Sequence, residues 1–372
     1  MSREAATPAG WEIVRFGDLA GWHDDDHAAA FAAFFRSGEV MRIRPPADSR
    51  LGITGASLAR IAEAALQCPD ARTDKVLARQ FFEAHFTPAR IIEPAAFLTG
   101  YYEPEVAGSR HADARFRFPL YRRPDDLVDV DPAAMQPGWD PNMVFGRKTE
   151  TGIVPYHDRG AIMEGAISGR GFELVFLADP IDVFFIHVQG SATVRLPEGS
   201  RLRIAYAAKS GHPYTSIGKA LIERGLATPE TMTLAHLRRW LEAHPAEGEA
   251  LTRENRSHIF FQAFDQTALD PELGAVAAAG VQITPGRSLA VDRIQHAYGT
   301  PIWLDALLPI GENAATEPFR RLMIAQDTGS AIVGAARGDI FFGTGAHAGD
   351  IAGRIRHVPR SFVVLGPKDL MP

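Results

Sequence analysis

Apolar residues recurring at three- and four-residue intervals mark the first hundred positions. Val76, Leu77, Phe81, Phe82, His85 and Phe86 share a helical stripe, with Thr73 placed to cap it. This part is predicted to be mostly helical. From Phe97 onward the pattern shortens into β-rich runs such as Phe172 to Ala178 and Val183 to Val188, broken by Gly, Pro and Asp. Helical periodicity returns over Thr215 to Gly225 and over Thr233 to Ala243, the second ending at Pro245. Beyond it lie short, Gly-bounded strand signals at Ile259 to Phe264, Arg287 to Val291, Ile302 to Leu304, Leu322 to Ala325 and Asp339 to Phe342. Their shortness and separation suggest a small closed barrel.

Composition fits this pattern to an ordinary globular chain: 372 residues, 46% hydrophobic and 23% charged, leave room for two domains and a substantial core. A formal net charge of -6 argues against a general nucleic-acid binder, which shows a basic balance. The single cysteine, Cys68, excludes an intramolecular disulfide and any cysteine-based metal cluster. No stretch approaches the ~18 apolar residues that cross a bilayer. Met1 to Gly10 lacks the basic and apolar regions of a signal peptide, so the compartment stays open.

Candidate chemistry sits in short segments, each with a plain structural alternative. Thr99-Gly100-Tyr101-Tyr102-Glu103-Pro104 sets two aromatic rings, a hydroxyl and a carboxylate around a glycine, groups on which sugars stack and bond; a strand end with one Tyr in the core is the alternative. Tyr156 to Gly165 contains His157, Asp158, Arg159 and Glu164 without a recognised ligand spacing, and reads as a loop with local ion pairs. Val188-Gln189-Gly190-Ser191 ends an apolar run in polar groups suited to a groove or to a turn, and His187 inside that run reads as a hydrogen-bonded core histidine. Tyr214-Thr215-Ser216-Ile217-Gly218-Lys219 does not match the phosphate-loop spacing and reads as a helix cap. The richest segment holds Asp327 and Asp339 twelve residues apart, each beside glycine or a short turn, with Asp292 a third carboxylate in the same region.

In this order the segments closely resemble the membrane-bound lytic transglycosylase A family, from about Phe97 to the C-terminus. The G-Y-Y-E-P, V-Q-G-S and Y-x-S-I-G-K motifs fall at Gly100 to Pro104, Val188 to Ser191 and Tyr214 to Lys219, and Asp292, Asp327 and Asp339 stand at the positions of the family's three-aspartate domain. The resemblance implies a mainly β fold with N-terminal helices: a double-psi β-barrel from residues 1–104 and 241–372, and a second β-barrel inserted at 105–240. It implies a glycan groove lined by Thr99, Gly100, Tyr101, Tyr102, Glu103, Gln189, Gly190, Ser191, Tyr214 and Ser216, with Asp339 the catalytic acid, Asp327 its supporting carboxylate and Asp292 in a role left open.

The implied reaction is cleavage of peptidoglycan between N-acetylmuramic acid and N-acetylglucosamine with formation of a 1,6-anhydro end. No cofactor, metal or nucleic acid is expected. The expected partners are glycan strands and other cell-wall enzymes, the expected state a monomer, and the expected place the periplasm or the periplasmic face of the outer membrane. The chain departs from the family in showing neither signal peptide nor lipobox cysteine, Cys68 lying inside the helical region. Two other readings stand beside it. A non-catalytic peptidoglycan-binding protein would bind sacculi without turnover. An aspartic protease would use Asp327-Thr328-Gly329-Ser330 but needs a second such loop or a two-fold axis at Asp327.

Overall fold

The computed structural model describes residues 10–370 apart from Pro94, 132–134, 136–137, 141–142 and Glu230. The expectation about an export signal therefore falls almost wholly outside the described residues. Two compact units emerge: Met1–Tyr102 with Pro271–Gly343 and His347–Pro372, and Glu103–Asp270 with Thr344–Ala346.

The first unit opens with β1 (Gly10–Ile13), α1 (His27–Ile43), α2 (Gly55–Leu66), α3 (Lys75–His85), β2 (Phe86–Ile92) and β3 (Phe97–Glu103). Each long helix starts at a side-chain cap. Asp26 accepts from the Ala29 amide and Thr54 from the Ser57 amide, while Asp74 accepts from Val76 and Leu77. The α3 cap is Asp74, not Thr73; the Thr73 hydroxyl instead donates to the Asp70 carbonyl. The aromatic stripe of α3 packs on α1, with Phe31 and Phe81 edge to face at 5.0 Å and Phe34 and Phe82 at 5.9 Å.

The inserted unit contains β4 (Glu105–Ser109), β5 (Phe118–Tyr121), β6 (Leu127–Asp129), β7 (Phe145–Thr149), β8 (Gly152–Val154), α4 (Arg159–Met163), β9 (Glu173–Leu177), α5 (Pro180–Gln189), β10 (Ser191–Arg195), β11 (Arg201–Lys209), α6 (Ile217–Glu223), α7 (Leu234–Ala243), α8 (Pro245–Glu254) and β12 (Ile259–Phe264). Its main sheet runs β12-β11-β10-β4-β9-β5, beside a separate β6-β7-β8 sheet.

Two expectations are corrected here. Val183 to Val188 is helix, not strand: the Asp179 carboxylate caps the Ile181 amide, Pro180 occupies the first turn, and Gly190 takes the left-handed conformation (φ 82°) that ends α5. Residues 241–270 cluster with the insert, not with the C-terminal strands, because β12 pairs antiparallel with β11 from Arg203↔Phe264 to Lys209↔Ile259.

The chain then returns to the first unit through β13 (Ser288–Val291), β14 (Pro301–Leu308), β15 (Glu317–Asp327), β16 (Arg337–Thr344), α9 (Ala346–Ala352), β17 (Arg356–His357) and β18 (Ser361–Pro367). These join the earlier strands in a nine-stranded sheet ordered β1-β2-β18-β14-β15-β13-β16-β3-β17. The core below it centres on Trp22, Trp303, Phe31, Phe34, Phe82 and Phe319, all essentially inaccessible. The fold is thus mixed α/β, with N-terminal helices and several sheets.

Candidate active site

Strand register brings the two C-terminal aspartates together. On β13, Ala290 is the partner of Asp327 in parallel β15 and of Asp339 in antiparallel β16. Pairing with β16 is regular and puts Asp339 on the face of the small Ala290 side chain, while the β13–β15 register shifts by a β-bulge at Asp327; the two aspartates' backbones stand two strand spacings apart, roughly 9.5 Å. Strand β3, next to β16, sends Thr99 and Tyr101 to a common face by its period of two.

Each of these hydroxyls meets one carboxylate. Thr99 Oγ1 donates to Asp339 Oδ1 at 2.5 Å, and Tyr101 Oη donates to Asp327 Oδ2 at 2.9 Å. Arg337 Nη2 donates to Thr99 Oγ1 at 2.7 Å. The Tyr101 ring rests on the buried Phe341 ring at 5.2 Å. Asp327 Oδ1 accepts from the Thr328 amide at 2.8 Å and the Ala278 amide at 3.4 Å. The neighbouring Gln326, fully buried, fixes β15 on α1: its amide donates to the Ala33 carbonyl and Ser37 hydroxyl, and its oxygen accepts from Ser288.

Both carboxyls are half-buried and hold their protons more tightly than a free aspartic acid. Burial pushes Asp339 up, against the opposing pull of the Arg337 charge and the Thr99 bond. Burial also pushes Asp327 up to about 6, against its three hydrogen bonds, with the charge of Asp339 adding a little. Burial beside Asp327 carries the Tyr101 phenol well above its ordinary value, so it stays a donor.

A carboxyl raised from 3.8 to about 6 binds its proton better in the folded chain. Its contribution to stability is present below about pH 4 and lost as pH rises through about 6. Asp327→Asn should therefore flatten the fall in stability between pH 4 and 6 by on the order of 2 kcal/mol, allowing for solvent at a half-buried group. Asn suits the site sterically, since its oxygen can keep both amide bonds while Tyr101 turns its hydroxyl to accept. Chemical denaturation across that range checks this, and an unchanged slope would refute it.

The remaining sequence candidates fall elsewhere. Gly100 faces α9: a Cβ there would come within 2.8 Å of Ala352 Cα and of Phe342 Cε2, so its role is close packing. The Tyr102 ring lies against Gly349 on the same helix, where a Cβ would stand 2.8 Å from the ring. Asp292 is buried and satisfies backbone, accepting from the Ile294 and Gly334 amides, both at 3.0 Å; it shapes the turn after β13.

In the insert, Glu103 is fully buried against Arg203 at 3.0 Å and accepts from the Thr193 hydroxyl, a structural ion pair with no surface to offer a ligand. Ser191 is buried at the start of β10, and Gly190 is the helix cap described above. Gln189 is half-buried and Tyr214 exposed, while Ser216 caps α6 through the Lys219 amide. His187 is the core histidine expected, its Nδ1 accepting from Arg159 at 2.8 Å, with burial holding its pKa well below the ordinary value. Sequence reading missed Arg337. Its place two residues before Asp339 on a strand, which puts both side chains on one face, was the available signal.

Residues 97–262 match the MltA specific insert domain and residues 287–365 the 3D domain, which defines a class of chain: a 3D domain carrying an MltA insert. A solved membrane-bound lytic murein transglycosylase from Agrobacterium tumefaciens superimposes with a TM-score of 0.88 and 41% identity, covering 97% of this chain and 98% of that one. The chain belongs to the membrane-bound lytic murein transglycosylase A (MltA) family.

The Vibrio cholerae membrane-bound lytic murein transglycosylase A is 32% identical over 266 residues, 71% of this chain and 63% of that protein, so the chain spans less than two thirds of that relative. E. coli MltA with bound chitohexaose matches with a TM-score of 0.68 and 26% identity over 97% of this chain and 95% of that one. No helix among the described residues is long and apolar enough to cross a membrane. The Asp327 bonds run to Tyr101, Ala278 and Thr328 and not to a second carboxylate, which gives no support to an aspartic-protease dyad.

Proposed function

We propose that this chain is a lytic transglycosylase that cleaves the β-1,4 bond between N-acetylmuramic acid and N-acetylglucosamine, leaving 1,6-anhydro-N-acetylmuramic acid ends. The observation that carries the reading is the half-buried Asp339 carboxyl, bonded at one oxygen by Thr99 and raised toward its protonated form. Family membership supports the substrate class, as does the chitohexaose bound to E. coli MltA.

Asp339 acts as acid and then as base. Its proton passes to the glycosidic oxygen as the bond to C1 of the muramic acid breaks. The C6 hydroxyl of the same sugar, tethered within reach, bonds to C1 and returns its proton to Asp339. Asp327 is the supporting carboxylate, holding Tyr101 and adding negative charge near the developing cation. On this reading the nine-stranded sheet is the family's double-psi β-barrel, and Tyr102, Gln189, Tyr214 and Ser216 are glycan contacts. Glycan strands are the partner, and the periplasm or the periplasmic face of the outer membrane is the site of action.

Mass spectrometry of digested sacculi tests the reaction. Released fragments should end in 1,6-anhydro-N-acetylmuramic acid. Fragments heavier by one water, with reducing muramic ends, would mean hydrolysis and exclude this mechanism.

A further inference from the structure

We propose that Arg337 is a positioning residue of this site: by donating to Thr99 it fixes which oxygen of Asp339 carries the transferable proton. This rests on the reading of Asp339 as the acid. A hydroxyl has one proton to give and lone pairs to receive, whereas a guanidinium only donates and keeps its charge at any working pH. Along the 2.7 Å line from Arg337 Nη2, Thr99 Oγ1 therefore accepts, and its own proton is left for Asp339 Oδ1 at 2.5 Å. The direction of the chain Arg337 to Thr99 to Asp339 is set by the one member that cannot reverse.

The consequence lies at the carboxyl. A proton on Oδ1 would face the Thr99 proton along that short line, so the acid proton resides on Oδ2, which no described protein donor bonds. Oδ2 is then the oxygen that protonates the glycosidic bond, and the C6 hydroxyl proton returns to the same atom. Neither Thr99 nor Arg337 exchanges a proton in the cycle. Once Asp339 is ionised, the Thr99 bond and the Arg337 charge both stabilise it, which favours release of the proton. Arg337 is itself held in place by a bond from Nη1 to the Gly338 carbonyl at 2.5 Å and by its position over the Phe97 ring. The charged and titratable groups around Asp339 are Arg337 on its own strand, Tyr101 on β3 and Asp327 across β13, where Ala290 brings no charge.

The test uses the full chain and sacculi as substrate. Arg337→Met removes every donor at similar length, and Thr99→Val removes the hydroxyl at similar shape. Each should lower kcat about tenfold with KM little changed, the loss of one oriented hydrogen bond. The double variant should fall by less than the two single losses combined, because Arg337 acts partly through Thr99 and partly through its own charge, and Arg337→Lys should recover part of the loss. The Asp339 carboxyl resonance, followed by carbon NMR, should titrate at higher pH in both the Met and Val variants, since each loses a group that favours the ionised form.

Losses that add in the double variant, or an Asp339 titration unmoved by Arg337→Met, would overturn the proposal. Should the Met variant fold poorly, Thr99→Ser decides: it keeps the hydroxyl and should keep near-full activity, and a loss equal to that of Thr99→Val overturns the proposal. The NMR titration needs no turnover, so it separates failure of the relay from failure of the acid assignment, which an active Asp339→Asn variant would reveal.

Discussion

Asp339→Asn is expected to lower turnover of peptidoglycan by at least ~100-fold while glycan binding persists, because the change removes the transferable proton and little else. The Asn oxygen can still accept from Thr99, and its amide nitrogen replaces Oδ2 without a proton acidic enough to give. Two-carboxylate glycosidases divide the work between an acid and a group that activates water or forms a covalent intermediate. On the proposed reading the nucleophile is an internal hydroxyl, so one carboxyl suffices.

Asp327 is the competing acid, since it holds its proton at about 6. Its oxygens are already engaged by Tyr101, Thr328 and Ala278, whereas Asp339 keeps Oδ2 clear of described protein donors. Calorimetry with chitohexaose and kinetics on sacculi check the two halves of the expectation. An Asn variant turning over at near wild-type rate would move the acid role, with Asp327→Asn the next substitution to measure.

Asp25→Ala is expected to destabilise the first unit by about 3–5 kcal/mol, the loss seen when one member of a buried ion pair is removed. Asp25 accepts both guanidinium nitrogens of Arg287 at 2.8 Å, and its Oδ2 also accepts the Leu322 amide at 2.9 Å. Both side chains are almost inaccessible. The variant leaves a buried cation and a buried amide without their acceptor, and it unties the segment before α1 from β13 and β15, which present Ala290 and Asp327. Urea unfolding followed by intrinsic fluorescence should show the earlier transition, since Trp22 and Trp303 pack edge to face at 5.3 Å inside that unit. An unshifted transition would mean that Asp25 holds nothing that the strands do not hold themselves.

Local signals decided much of the secondary structure. The periodicity around Phe81 and Phe82 is α3, and the apolar runs near Leu289, Ile302, Ile324 and Ile340 are β13 to β16, because a helix or strand with one buried face must repeat at 3.6 or 2 residues. The segment from Val183 to Val188 misled because an apolar run of six fits a buried strand and a buried helix equally. The deciding marks were Asp179-Pro180 before it and Gly190 after it, a cap, a first-turn proline and a left-handed stop. The run Ile259 to Phe264 was legible as a strand, but its partner was not: joining β11 is a choice among sheet edges, which the local pattern does not encode.

By itself the sequence determined the order of motifs, the family they resemble, and the two aspartates on which the chemistry is proposed to rest, because residue types and spacings are local properties. Only the tertiary structure decided what each candidate touches. Asp327 and Asp339 meet across Ala290 because β13 runs parallel to one strand and antiparallel to the other. Glu103, equally acidic in the sequence, is locked against Arg203, and Asp292 is consumed by backbone amides. Thr99 and Tyr101 reach the carboxylates from more than two hundred residues away, and Arg337 takes its meaning from Thr99. The physical reason is that a carboxyl's proton affinity and a hydroxyl's direction depend on burial and on partners within about 3 Å. Those partners arrive by strand register, which the chain fixes only when it folds.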